Sequence, residues 1–410
     1  MTKLLNPIST KNLIYLTIFF SPAYLLRFSI FDIPLNALDI LIVLTLFLWI
    51  YENNFNLFKK IKYSLKKISS FILPISLILI GLLISTFLND NFLKELGIVK
   101  SWFILPIIFG IIVYIETKNS TDFEKILNSL LFSSFSISVI SIFYLVFDNL
   151  TYDNRLSAFY SSPNHLAMTL VPGILISLAN IIQNKQSRYF KLVLIIPILI
   201  SLFFTHSYSA WIALFISSLI IIFFSSGKKT ILFIFITTIF FIFFFEHNSD
   251  KLKSLNNSSA NSSLSSRIAI WKSAEKIIYD NWLWGIGPGN FQEKYLSYQK
   301  YFYPYPEWAV PQPHNIFLAF WLQAGFFGLF GFVYLIILWF LKIKKILIYF
   351  KDFTNRRPFL IILSILFYII LHGLTDTTYW KNDLSLIFWL IIFLGLSLSS
   401  QEIKLDSNSK

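Results

Sequence analysis

Twelve stretches of this chain are almost wholly apolar, most of them close to 20 residues long, and this feature leaves few ways to fold. Within a bilayer no water satisfies backbone N–H and C=O groups, so only helices and closed barrels span it. Runs of this length match the roughly 30 Å hydrocarbon layer as helices. They cover 12–31, 34–51, 69–88, 98–115, 126–147, 164–182, 192–205, 208–225, 231–245, 314–341, 358–371 and 384–398. The expected fold is therefore all-α, a polytopic membrane protein with about 12 transmembrane helices. Apolar residues make up 56% of the chain and charged ones 13%. That charged share is about half of what a soluble domain carries, and it also excludes disorder. The chain has no Cys, so disulfides, Cys-held zinc, iron–sulfur clusters and thiol nucleophiles are out. The first apolar run is too long for a cleavable signal, and no small-residue cleavage site follows it.

Net charge is +13, from 34 Lys and Arg against 21 Asp and Glu. In a soluble protein this would suggest nucleic acid. In a membrane protein, basic residues instead set orientation. With the amino terminus inside, 22 basic residues fall in inside segments and five in short outside ones: Arg27, Lys94, Lys100, Arg155 and Lys381. The other seven lie in one long loop, which the rule does not count. Both termini are thus expected in the cytoplasm. The excess charge is a topology signal, and no nucleic-acid partner is expected.

The chain divides into helices 1–9 (1–245), an outward loop (246–313), helices 10–12 (314–400) and a cytoplasmic tail (401–410). The loop opens with a Ser- and Asn-rich linker to about Ser266. Asn257-Ser258-Ser259 and Asn261-Ser262-Ser263 match glycosylation sequons by chance composition. From Arg267 the spacing predicts an amphipathic helix, capped by Ser265 or Ser266, that lays Ile270, Ala274, Ile277 and Ile278 on the membrane surface. A turn, Trp284-Gly285-Ile286-Gly287-Pro288-Gly289-Asn290, and a Tyr- and Pro-rich stretch complete the loop. The turn lacks Gly-Lys-Ser/Thr and follows no strand, so it holds no nucleotide; a tight turn or small anion nest remains open to it.

All five His (His165, His206, His247, His314 and His372) fall at outward helix ends or in outward loops on this topology. Singly, each reads as a polar interface residue. Together they suggest a polar cavity open to that side. Arg155 and Arg267 also sit outward, against the charge bias. A pair of guanidinium groups suits a diphosphate clamp; the alternative is a headgroup contact, or an ion pair with Asp148, Asp153 or Glu275. A neutral His314, where the loop re-enters the membrane, is placed to take a proton from a hydroxyl. Asp376, Lys381 and Asp383 in the last outward loop are either partners that support His314 or solvated loop charges, and the solvated reading is favoured.

Several ordered motifs carry a resemblance. Arg155-Leu156-Ser157-Ala158-Phe159 with Pro163-Asn164, then Arg267-x-x-x-Trp271, the 284–291 turn, Pro313-His314-Asn315-x-x-Leu318 and Gly325-x-x-Gly328-Leu329 resemble the O-antigen ligase and polymerase superfamily of membrane glycosyltransferases. The chain departs from it at Ala158, where Gly is usual, at Tyr208, where Arg is usual, and at Gln323, where Glu is common. The resemblance implies glycan transfer from a polyprenyl-diphosphate carrier to an acceptor hydroxyl, on the outer face of the bacterial inner membrane. It implies no nucleotide, metal or other cofactor. Arg155 and Arg267 are expected to bind and activate the diphosphate, and His314 to activate the acceptor. Asn164, His165, Tyr208 and Asn315 are candidate substrate-binding neighbours. Partners are the lipid-linked glycan donor, a glycan or lipid acceptor, the bilayer, and a chain-length regulator or flippase. The compact loop, with no added soluble domain, speaks against a protein-directed ligase, and a polymerase is favoured; a ligase that delivers glycan to lipid A-core or another acceptor is the alternative. A transporter of a small anion such as bicarbonate is the reading from another class; the lack of internal repeats and midplane charges speaks against it.

Overall fold

The computed structural model describes residues 9–30, 33–89, 91–183, 188–225, 263–302, 310–350 and 352–407. The expected ninth segment, His247, nearly all of the Ser/Asn-rich linker with its sequons, and residues 303–309 of the Tyr/Pro-rich stretch lie outside these residues. The described chain is an all-α multi-pass membrane protein with one short hairpin. Its elements run α1 (Thr10–Phe19), β1 (Arg27–Ile30), β2 (Ile33–Asn36), α2 (Ala37–Asn53), α3 (Leu57–Lys67), α4 (Ser69–Phe87) and α5 (Phe92–Val99). A π-helical turn at Lys100–Ile104 joins α5 to α6 (Leu105–Glu116). Then come α7 (Ser120–Val146), α8 (Pro163–Gln183), α9 (Arg188–Phe204), α10 (Tyr208–Ser225), α11 (Ser263–Asp280), α12 (Phe291–Tyr298), α13 (Ile316–Tyr349), α14 (Phe353–Gly373) and α15 (Asn382–Ser407).

Among the described residues, eight helices are long and apolar enough to cross a membrane, with α5 and α6 as one span, and α9 is a shorter apolar helix. The expected segment at 12–31 is not one helix. α1 stops at Phe20, Pro22 opens a 3-10 turn over Ser21–Leu25, and the chain then extends into β1. A proline lacks the N–H that would continue the helix, and this breaks the apolar run. β1 pairs antiparallel with β2, with Arg27 opposite Asn36.

Side chains mark the helix starts. Asn36, Asn119 and Asp352 accept from the backbone N–H three residues on, at 2.9, 2.8 and 3.1 Å. Burial sorts the helices: the spanning part of α15 is wholly buried and α8 is 83% buried, whereas α10 buries 33%. α15 and α8 therefore form the centre. Outer helices turn Phe47, Leu73, Phe143, Ile212 and Phe223 outward, as lipid-facing positions require.

α4 lies closely along α13. A Cβ at Gly81 would stand 2.3 Å from the Ala324 carbonyl oxygen, and one at Gly331 2.7 Å from that of Pro74. Small residues allow this backbone approach where apolar burial drives little association. α13 breaks at Gly325, whose φ of 65° and ψ of −169° are open only to glycine. The 281–290 turn docks into that break: Ile286 N–H donates to Leu322 O at 2.6 Å, and Phe326 N–H to Leu283 O at 3.0 Å.

α11 forms as expected but starts at Ser263. Its face of Ile270, Ala274, Ile277 and Ile278 is not laid on the membrane. It packs on Ile286, Phe291, Tyr295 and Leu322, so α11, α12 and the turn make a small core on top of α13. The turn itself is a structural plug. Gly289 N–H donates to Gln323 Oε1 (3.0 Å), and Gln323 Nε2 donates to Gln312 Oε1 (2.9 Å). An amide suits Gln323 because the position needs both an acceptor and a donor.

Candidate active site

One end of the bundle gathers the α7–α8 loop, the α9–α10 turn, the chain entering α13 and the α14–α15 loop. Each brings one polar group. The α7–α8 loop is tied at Thr151, whose hydroxyl donates to Arg155 O at 2.9 Å and accepts from Arg155 N at 3.0 Å. Leu156 N–H donates to Phe204 O at 2.8 Å. Ala158 has a φ of 51°; this left-handed position explains why Gly is usual there.

Arg155 is held in place by its neighbours. Its Nε donates to Thr205 O at 2.8 Å and a terminal nitrogen to Asn164 Oδ1 at 2.9 Å. Asp153 stands 3.6 Å from the other terminal nitrogen. Asn164, at the start of α8, donates through Nδ2 to Asp376 Oδ2 at 2.7 Å. Asp376 Oδ1 meets His314 Nδ1 at 3.0 Å and accepts from Thr377 N at 2.8 Å. A single hydrogen-bonded chain thus runs Arg155–Asn164–Asp376–His314 across three segments that are distant in sequence.

Its direction is set by chemistry. Guanidinium only donates, so Asn164 must accept there and donate to Asp376. The carboxylate only accepts, so His314 carries a proton on Nδ1, and in its neutral form Nε2 is the acceptor. Burial raises the Asp376 pKa, but the charge and hydrogen bond of His314, with His372 and Arg267, outweigh it and hold the carboxyl well below its ordinary range. The His314 side chain is 32% exposed against 6% for Asp376, so the imidazole is open while its partner is covered. The expectation that Asp376 is a solvated loop charge is thereby corrected: it is the buried hub of the site.

The entry to α13 is built around His314. His314 has a φ of 48°. Asn315 caps the helix: its Oδ1 accepts from Phe317 N (2.9 Å) and Leu318 N (3.1 Å), and its Nδ2 donates to Leu374 O (3.0 Å). Both ends of Asn315 are thus committed to the fold. Trp271 Nε1 donates to His314 O at 3.3 Å, tying α11 to the same point. Arg267, one turn before Trp271, is half-buried and close enough for its charge to act on Arg155, His372 and Asp376. Among the described residues it makes no hydrogen bond or ion pair, which leaves its guanidinium available for a ligand.

The remaining expected residues sit beside this centre. Tyr208 begins α10 and packs edge-on against Trp211, three residues after the Thr205 carbonyl that holds Arg155. His165 is buried at 4% exposure, with Nε2 3.0 Å from Asp383 and its ring between Tyr24 and Tyr160. It adjoins the site through Asn164 but is turned into its own cluster. His372 is fully buried at the end of α14 and meets the Tyr368 hydroxyl at 2.9 Å. His206 lies in the α9–α10 turn, so all four described His occupy this end. Among the described residues, no group of three or more His, Asp and Glu stands together as a metal set would.

The sequence singles out Arg155, Arg267 and His314, which the structure brings to one end of the bundle, and offers Asp376 only as one of three loop charges that could support His314, with the solvated reading favoured. A carboxylate one turn after His372 carries no periodic or motif signal. Residues 192–333 match the family model described as O-antigen ligase. The match covers α9, α10, α11 and the entry to α13, including Arg267 and His314, and supports the O-antigen ligase and polymerase superfamily for this chain. No curated protein matches it.

Proposed function

We propose that this membrane protein, of glycosyltransferase type at family level, moves a glycan from a polyprenyl-diphosphate carrier to an acceptor hydroxyl. The observation that carries the reading is the directional chain from Arg155 through Asn164 and Asp376 to an exposed His314. It couples a base to a cation held nearby, which is what displacement of a diphosphate by a hydroxyl requires.

The acceptor O–H gives its proton to His314 Nε2. The freed oxygen bonds to the anomeric carbon as the bond from that carbon to the diphosphate oxygen breaks. Asp376 stabilises the imidazolium that results, and His314 then releases the proton to water or to the leaving group. Arg155 and Arg267 offset the charge that grows on the diphosphate; preorganised donors of this kind act most strongly where charge develops. The chemistry needs no nucleotide and no metal ion.

The basic residues on the opposite end of the bundle support a periplasmic site in the inner membrane, with both termini cytoplasmic. We favour a polymerase, in which the acceptor is another lipid-linked repeat unit. The test is the surface glycan of a deletion strain, run on a gel beside strains carrying the intact gene or Arg267→Ala. Single repeat units on lipid A-core without a ladder indicate a polymerase. Loss of all added glycan, with long lipid-linked chains accumulating, indicates a ligase. An unchanged glycan would overturn both and point to a small-anion transporter.

A further inference from the structure

The end of the bundle away from His314 holds a basic cavity that the transfer reaction does not use. Arg357 and His372 lie on α14, 15 residues apart, which places them about 22 Å apart along the helix. Around Arg357 opens a cavity of about 1000 Å³, lined among others by Lys60, Lys67, Lys118 and Glu124. A second, of about 560 Å³, adjoins it through Glu124 and Arg357 and adds Lys191.

The charges do not cancel. Glu116 stands 3.8 Å from Lys60 and 3.5 Å from Lys118. Glu124 pairs with Arg357 at 2.7 Å. Lys67 lies over the Tyr63 ring at 4.5 Å. Among the described residues, four cations against two carboxylates leave the large cavity with two positive charges in excess. Arg357 is 8% exposed, and its remaining terminal nitrogen bonds to Asn180 as well as Glu124. Among the described residues its buried Nε–H meets no acceptor. An unpaired buried donor on a cationic wall calls for an anion with several oxygens.

The setting indicates where that anion comes from. α3 leaves α2 at 112° and carries Lys59, Lys60, Lys62, Lys66 and Lys67. Its Leu57, Ile61 and Leu65 pack on the protein core, while Phe58 is 86% exposed. A basic amphipathic helix with an outward aromatic lies at the level of lipid headgroups.

We propose that this cavity binds the phosphate headgroup of an anionic phospholipid from the leaflet on that side. The test uses the full chain purified in neutral detergent and titrated with short-chain phosphatidylglycerol, short-chain phosphatidylcholine or inorganic phosphate, with binding read by native mass spectrometry. Phosphatidylglycerol binds in preference to phosphatidylcholine. The double variant Lys67→Gln/Lys118→Gln weakens its binding about tenfold to thirtyfold. A matched variant at the other end, Lys272→Gln/Lys276→Gln, leaves it unchanged. Arg357→Gln adds a second probe; should it fail to fold, the lysine pair still decides the question. Equal binding of the two lipids, or equal loss in both double variants, overturns the proposal. Binding of inorganic phosphate as tight as that of phosphatidylglycerol overturns the lipid assignment.

Discussion

Asp376→Asn changes almost no volume but reverses one hydrogen-bonding direction. The native carboxylate accepts three bonds: from His314 Nδ1 at 3.0 Å, Thr377 N at 2.8 Å and Asn164 Nδ2 at 2.7 Å. An Asn here has one accepting oxygen and one donating amide. With its oxygen toward His314 and Thr377, its amide faces the Asn164 amide. Rotating Asn164 only moves the conflict, because the Asn164 amide then faces Arg155. One buried donor stays unmatched in either arrangement, at a cost of about 1–3 kcal/mol in stability. The imidazolium formed by His314 also loses the negative charge that stabilises it. Turnover is expected to fall by about 10²–10⁴-fold, the range general-base catalysis supplies. The assay is the initial rate of glycan transfer from a lipid-linked donor by purified protein, for each single variant and for His314→Ala/Asp376→Asn. Because the two residues act as a unit, the double variant should be no slower than His314→Ala alone. Losses that multiply, or an Asp376→Asn rate within threefold of the unaltered protein, would refute the coupling.

Other consequences follow from the same geometry. The Asp376 pKa is depressed on folding, so its stabilisation is complete above the unfolded value of about 4 and fades as pH falls further. The gap in thermal midpoint between the unaltered protein and Asp376→Asn should therefore be constant from about pH 8 to 5 and narrow below about pH 4. Arg267→Lys keeps the charge but loses the two-pronged donor, and kcat/KM for the lipid-linked donor should drop about 10–100-fold. Gly325→Ala places a Cβ 2.3 Å from Leu283 O at a backbone angle closed to other residues. It should cost at least about 1–3 kcal/mol, read as a lower thermal midpoint, by forcing the 281–290 turn off α13.

The sequence was most readable where physics is local. Long apolar runs specify helices because lipid leaves the backbone no alternative, and Arg155, Arg267 and His314 stood out as polar groups against the local bias. The segment at 12–31 was overextended, although Pro22 was there to be read. Asp376 was underweighted for a different reason. Its burial and its three donors come from the meeting of α8, α13 and the α14–α15 loop, and no spacing along the chain encodes that meeting. The glycines at 285 and 287 looked like a turn or an anion nest; only the break at Gly325, about 40 residues later, shows that the turn is a plug. Gln323 illustrates the same limit, since its fitness depends on Gly289 and Gln312.

The most direct measurement reconstitutes the purified chain in vesicles with a lipid-linked repeat unit and a metal chelator, and follows both glycan length and released polyprenyl diphosphate. Lipid A-core is supplied in a parallel reaction as the competing acceptor. Transfer with release of the carrier by the unaltered protein, absent with folded His314→Ala, is the expected result. Undiminished transfer by His314→Ala, or no transfer to either acceptor by the unaltered protein, would contradict a diphosphate displacement driven from His314.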